Sequence, residues 1–203
     1  RGAGLIEALF SHFCHQNPAR SFHVGAEVLP FCHRCAGVYV GAVAAAVFFA
    51  SFGRRQRRSA PRALVLLNVL FVFAMGVFGF HVIETPPLGR YAVGVLFGSA
   101  VIVLAWPLVM ERRSAGSPLP GWSKPDALRY AAFLLAALTV PPALVSLGAR
   151  AAVPLLTGIG LVGLPLLLAL PNLLLAQLVV GALRGRLRTA AVAGICSGLL
   201  VPE

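Results

Sequence analysis

The residues best equipped for chemistry sit in one stretch, residues 12 to 35, reading HFCHQNPARSFHVGAEVLPFCHRC. It holds three of the four cysteines (Cys14, Cys32, Cys35) and four of the five histidines (His12, His15, His23, His33). Cys32 and Cys35 form a C-x-x-C pair, separated from Cys14 by seventeen residues. That spacing lets a tight turn offer two thiolates to one metal ion, or close a redox disulfide. Three thiolates and one imidazole make a closed tetrahedral zinc site, which supplies folding energy to a short segment lacking a core of its own. Cys14, Cys32 and Cys35 are the firm members of such a set and His15 the fourth. Because adjacent residues seldom ligate one ion easily, His12 and His23 stand in reserve. Thiolate and imidazole together suit zinc, with copper and iron behind it.

The same cysteines admit a redox reading. A C-x-x-C at the outer end of a transmembrane helix could pass electrons to a quinone, with Cys14 as shuttling partner and Arg34 lowering the thiol pKa. Thiol oxidoreductases have no need of four nearby histidines, which favours the metal. Cys196, isolated in an apolar run, reads as a small buried residue. Arg20, Arg34, Glu84 and Arg90 form a second candidate group, since guanidiniums at an interface suit a phosphate or carboxylate. The plainer alternative is that Glu84 pairs with one arginine and ties two loops together. His81, near the end of an apolar run, is an intramembrane candidate for a ligand or proton carrier. Asn68, Asn172 and Gln177 read as interhelical hydrogen-bonding residues. No hydrolase elbow, Walker loop, dinucleotide fingerprint or H-E-x-x-H helix is present.

The elements that must position these groups are apolar helices. The chain is 59% hydrophobic and 11% charged, with a mean hydropathy of +0.87, against roughly 25% charged residues in a soluble domain. Several apolar runs reach the ~20 residues needed to cross a bilayer. The expected class is an all-α, polytopic membrane protein of five or six transmembrane helices. An interfacial Cys/His-rich segment, 1–35, precedes a helical bundle, 36–203. Residues 1–13 read as a short amphipathic helix, and Asn17-Pro18 and Leu29-Pro30 give the following segment a loop-like character. Spans are expected at 36–52, 63–83, 90–110, 127–147 and 151–183. The last should be kinked or broken at Pro154, Pro165 and Pro171, and the stretch 189–201 is too short to cross comfortably. Gly37-x-x-x-Gly41 and Gly94-x-x-x-Gly98 offer close helix packing.

The net charge of +11 excludes nothing by itself, but the basic residues cluster between apolar runs, as cytoplasmic loops do. No aromatic platform accompanies them, so nucleic acid is not the expected partner. Placing loops 53–62, 111–129 and 184–188 inside puts twelve of the seventeen Lys and Arg in the cytoplasm. Arg1, Arg20, Arg34, Arg90 and Arg150 are left outside. The Cys/His segment is then expected on the extracytoplasmic side of the plasma (inner) membrane.

The stretch FCHQNPARSFHVGAEVLPFCHRCAGVYVG resembles the signature of an uncharacterised family of small bacterial and archaeal membrane proteins, a domain of unknown function. The matching positions are Cys14, His15, Gln16, Arg20, Ser21, Phe22, Gly25, Pro30, Cys32, Arg34, Cys35, Gly37, Tyr39 and Gly41. The resemblance continues more sparsely through Glu84, Arg90, Gly94 and Gly98, covering about the first half of the chain. It implies Cys14, His15, Cys32 and Cys35 as the working set. Family members carry an Asp-Gly pair in the second span, where this chain reads AMGVFGFH without an aspartate, so no role is carried over for that acid. The expected function is a metal site, zinc first, that staples the segment or acts on an anionic or lipid-linked substrate at the bilayer surface. If catalytic, a metal-activated water would work beside arginines holding the anion. The alternatives are a quinone-linked thiol–disulfide oxidoreductase and a non-catalytic accessory subunit of a larger membrane complex or homo-oligomer.

Overall fold

A computed structural model describes residues 4–53, 61–79, 83–113 and 122–198. The elements in chain order are α1 (Leu5–Ser11), β1 (Ser21–Val24), β2 (Glu27–Cys32), α2 (His33–Phe48), α3 (Arg62–Ala74), α4 (Pro87–Arg113), α5 (Lys124–Ser146) and α6 (Ala152–Gly198). Single π-turns, Phe49–Gly53 and Met75–Gly79, extend α2 and α3. Among the described residues, four helices are long and apolar enough to cross a membrane, at 33–51, 87–106, 124–146 and 152–183, and Arg62–Phe78 is a shorter apolar helix. The protein is a mostly helical, multi-pass membrane protein with a small N-terminal hairpin.

The tightest helix contact is between α2 and α4, and glycine makes it. A Cβ at Gly37 would land on the Tyr91 carbonyl oxygen, and one at Gly41 on that of Val95. Reciprocally, Gly94 meets the Arg34 carbonyl and Gly98 that of Val38. Both small-x-x-x-small pairs are therefore used, each backbone seated in the other's groove. Because 37 and 41 face 91 and 95 in increasing order, the two helices run parallel. Their N-terminal ends adjoin, and the chain between them must return along α3.

The segment expected to be loop-like contains an antiparallel hairpin. Ser21 faces Cys32, His23 faces Val28 and Val24 faces Glu27, with an irregularity between Ser21 and His23. Gly25, at φ 62°, opens the two-residue turn, where a side chain would be strained. Phe22, Val24, Leu29 and Phe31 are buried while His23 and Val28 are exposed, the period-two pattern of a half-buried ribbon. Pro30 lies in β2 opposite the irregular stretch, where a missing N–H is tolerated. The hairpin docks on the bundle through aromatic contacts. Phe31 meets Phe10 edge-on at 4.9 Å and Tyr39 at 5.4 Å, and Gly160 of α6 leaves room for the Phe10 and Phe31 rings.

The long apolar run, expected to be kinked or broken, is not broken. α6 is one continuous helix of 47 residues with Pro165 and Pro171 inside it. The stretch beginning at 189 prolongs that helix to 198 instead of turning back as a separate sixth span. Each proline removes a single backbone hydrogen bond, and the neighbouring turns carry the helix across it.

Toward the opposite end of α2, Phe48 and Phe49 join Trp106, Trp122 and Tyr130 in an aromatic cluster, with Phe49 stacked on Trp106 at 5.3 Å. The α5 start is capped, as the Ser123 hydroxyl and N–H both donate to Asp126 Oδ2, at 2.6 and 2.9 Å. Asn68 is fully buried in α3, and its Oδ1 accepts from the Tyr130 hydroxyl of α5 at 3.3 Å, as expected of an interhelical residue. Asn172 instead donates to Leu168 of its own helix at 2.6 Å.

Candidate metal centre and the cavity beside it

The three cysteines come from three local structures. Cys14 follows α1, where its N–H donates to the Phe10 carbonyl at 2.9 Å and closes the helix end. Cys32 ends β2 and caps the N-terminus of α2, and Cys35 lies in the first turn of that helix. Their sulfur atoms lie within 4.8 Å of one another. A tetrahedral zinc thiolate with bonds of ~2.3 Å has sulfur–sulfur edges of roughly 3.8 Å, so a modest contraction suffices. The Cys32 N–H donates to Cys14 Sγ at 3.2 Å, which ties the end of β2 to the residue beyond α1. Hydrogen bonds from Cys14 and then Cys35 push the Cys32 thiol well below its usual pKa. Burial opposes this, while the Cys35 N–H and the Arg34 guanidinium assist. The donor set fits a soft divalent metal: three thiols, one already acidified, on the positive end of a helix dipole.

Beside the cluster lies a cavity of about 440 Å³. Cys14, His15 and Cys32 form one side, and Arg20, Arg34 and Arg90 bring three guanidiniums to it. Phe13, Phe78 and Val93 supply apolar wall. Arg34 and Arg90 reach the same space because the glycine interlock sets the first turns of α2 and α4 side by side.

Of the residues expected to act, Cys14, Cys32 and Cys35 are brought together, and Arg20, Arg34 and Arg90 are brought to one cavity. His15 is exposed and lines that cavity, outside the three-sulfur group. Glu84 is exposed and not on the cavity wall. His12 and His23 engage backbone close by, each donating from Nδ1: to Ala8 at 2.9 Å and to Ser21 at 3.0 Å. His33 is buried, donates to the Arg20 carbonyl and packs edge-on against Phe22 at 4.3 Å. It therefore anchors the Pro18–Arg20 turn that carries Arg20. His81 lies outside the described residues, and so does the side chain of Cys196.

Two positioning residues carried no expected role. Gln16 adopts a left-handed φ of 48°, unusual for a residue with a side chain. Its Nε2 donates to the Glu7 carbonyl at 2.6 Å and the Pro30 carbonyl at 3.0 Å, fastening α1 to β2 on either side of Cys14. Asn17 Oδ1 accepts from the Ala19 N–H at 3.0 Å and shapes the turn. Gln16 lies inside the signature, but a lone polar residue in a loop gives no sequence sign of a cross-chain clasp.

A helical membrane bundle whose N-terminal end gathers three thiols and three arginines is the class that fold and site define. The chain belongs to a family of predicted membrane proteins, DUF2085, whose model matches residues 14–104. The match starts at the first clustered cysteine and ends inside α4, so it contains every residue of the thiol cluster, the three arginines and the glycine interlock. An uncharacterised protein of Methanothermobacter thermautotrophicus is 31% identical over 99 residues, 47% of this chain and 86% of that protein. An uncharacterised protein of Methanocaldococcus jannaschii is 25% identical over 110 residues, 52% of this chain and 69% of its own. No solved structure matches the chain significantly.

Proposed function

We propose that this protein holds one zinc ion through Cys14, Cys32 and Cys35, with His15 completing the set from the cavity wall. The observation that carries the reading is the convergence of three thiols from three separate elements within 4.8 Å. Cys32 N–H also donates to Cys14 Sγ. A bound zinc ion would cross-link α1, the hairpin and α2, and would add Lewis acidity at the cavity edge. The chain's own residues do the rest: Gln16 sets the bend that presents Cys14, and Arg20, Arg34 and Arg90 attract an anionic or lipid-linked substrate.

We further assign five spans, counting the apolar helix that begins at Arg62 as one, because parallel α2 and α4 require the chain to cross back between them. The positive-inside rule supports an extracytoplasmic position for the cysteine end, since Arg62, Lys124 and Arg129 start the helices at the other end.

The test is elemental analysis of detergent-purified protein with the Cys32→Ser and His15→Ala variants. About one zinc per chain is expected, lost in Cys32→Ser and held more weakly in His15→Ala. Absence of metal, with two thiols blocked to alkylation until reduction, would overturn this reading and favour thiol–disulfide exchange.

A further inference from the structure

Each cysteine of the cluster has an aromatic residue beside it in the chain. Phe10 lies one turn before Cys14, and its carbonyl accepts the Cys14 N–H at 2.9 Å. Phe31 immediately precedes Cys32 in β2. Tyr39 follows Cys35 by one turn of α2, on the same face of that helix. The three rings touch one another, with centroids 4.9 Å apart for Phe10 and Phe31, 5.4 Å for Phe31 and Tyr39, and 5.6 Å for Phe10 and Tyr39. All three residues are buried. The end of α1, β2 and α2 therefore meet in one aromatic knot, and a shift of a ring is carried to a cysteine.

The knot has a further side, formed by α6. Leu156 and Leu164 are buried in the same core as Phe10, Phe31, Tyr39 and Cys14, and Gly160 stands between them, four residues from each. A Cβ at Gly160 would lie 2.8 Å from Phe31 Cε1 and 2.9 Å from Phe10 Cζ. Nearly a turn on, a Cβ at Gly163 would lie 2.9 Å from the Tyr39 Cα, Cβ and carbonyl oxygen alike. Two glycines thus seat α6 on all three aromatic residues. Gly158 meets nothing within 4 Å, so the close approach belongs to one face of the helix. Glycine weakens a helix interior relative to alanine, and at 160 and 163 the rings account for it. The family match stops inside α4, so this support comes from outside the matched region.

The tolerances are narrow. The sulfur atoms lie within 4.8 Å of one another and must close to roughly 3.8 Å around a zinc ion. A methyl group at 160 demands more than half an ångström from rings whose ordinary contact begins at 3.4 Å. Buried rings in a close-packed core have little room to swing aside. The displacement falls on α1 and β2, which lead into Cys14 and Cys32, while Cys35 stays with α2. It is of the same order as the closure that the metal requires.

We infer that Gly160 and Gly163 are positioning residues of the metal centre, setting Cys14 and Cys32 against Cys35 through Phe10, Phe31 and Tyr39, a role that rests on the proposed metal site for its purpose. The test measures zinc retention against a chromogenic chelator in the full-length protein in mild detergent, together with the absorption spectrum of the cobalt(II) form. Gly160→Ala and Gly163→Ala should each weaken zinc about tenfold or more, the range of supporting residues around a metal, and should change the sulfur-to-cobalt charge-transfer bands. Gly158→Ala should do neither. A helix that only filled space would lower the unfolding midpoint without altering the cobalt bands. Phe31→Leu trims a ring without creating a collision, so it keeps the test valid if Gly160→Ala fails to fold, and it should itself weaken zinc. Combined with Gly160→Ala, it should lose less than the product of the two single losses, since ring and methyl compete for one space.

Zinc retention by Gly160→Ala equal to that of Gly158→Ala, cobalt bands unchanged from wild type, or independent losses in the double variant would overturn the inference and leave the metal reading intact. A monosubstituted trivalent arsenical, which closes on two neighbouring thiols, reads the same spacing in metal-free protein. Wild-type protein without zinc sinks the metal reading. The positioning role then stands if Gly160→Ala captures the arsenical more weakly than Gly158→Ala, and falls if the two are equal.

Discussion

Substituting Gly98 by alanine tests the helix interlock on which the site depends. The added Cβ would collide with the Val38 carbonyl oxygen, and would lie 2.8 Å from the carbonyl carbon and 3.0 Å from the Ala42 nitrogen. Ordinary contact begins near 3.4 Å, and backbone cannot swing aside as a side chain can. The helices must separate by more than half an ångström, and a gap of ~0.5–1 Å forfeits about a quarter to a half of each dispersion contact across it. Overpacking of this kind costs about 1–3 kcal/mol, and a backbone obstacle places Gly98→Ala near the top of that range. For a chain of this size, about 3 kcal/mol lowers the thermal midpoint by roughly 6–12 °C. Gly158 of α6 is the control, because a Cβ there meets nothing within 4 Å. Gly158→Ala should gain about 0.5–1 kcal/mol of helix propensity, a small rise in midpoint. Unfolding in mild detergent, followed by tryptophan fluorescence, measures both. Equal midpoints for the two variants would refute the interlock and the parallel placement of α2 and α4.

Gln16→Glu replaces the amide donor with a carboxylate facing two carbonyls. Zinc retention under a chelator should fall about tenfold or more, as expected of a supporting residue around a metal site, while Gln16→Asn loses less; a competition assay with a chromogenic chelator reads this. Tyr130→Phe leaves buried Asn68 Oδ1 without its donor from α5, and should destabilise the bundle by about 1–3 kcal/mol in the same unfolding assay. It should not alter metal content, since Asn68 and Tyr130 belong to the other end of α2.

Much of the site is legible in residue order because its members are close in sequence. Cys14, Cys32 and Cys35 lie within a short span, so any compact arrangement of that span brings them together, and composition makes the helices plain. The hairpin is less legible. Pro18 and Pro30 argue against regular structure, and the alternation of Phe22, Val24, Leu29 and Phe31 is brief and broken by an irregular pairing. The convergence of Arg90 with Arg20 and Arg34 could not be read locally, since it depends on α2 and α4 running parallel. The glycine pairs hint at close packing but not at which helices meet or in which direction. Continuity of α6 through its prolines is likewise set by neighbouring turns, which a residue-by-residue rule does not see.

The parallel seating of α2 and α4 bears on how strain at one end of the bundle reaches the other. With backbone against backbone at Gly37, Gly41, Gly94 and Gly98, neither helix can slide past its partner without the small-residue faces losing register. A metal that draws the first turn of α2 toward Cys14 is therefore expected to be felt at Phe49 and Trp106, which stack near the far ends of the same two helices. Tryptophan emission should respond to zinc addition and removal, and an emission indifferent to the metal would show the two ends to be uncoupled.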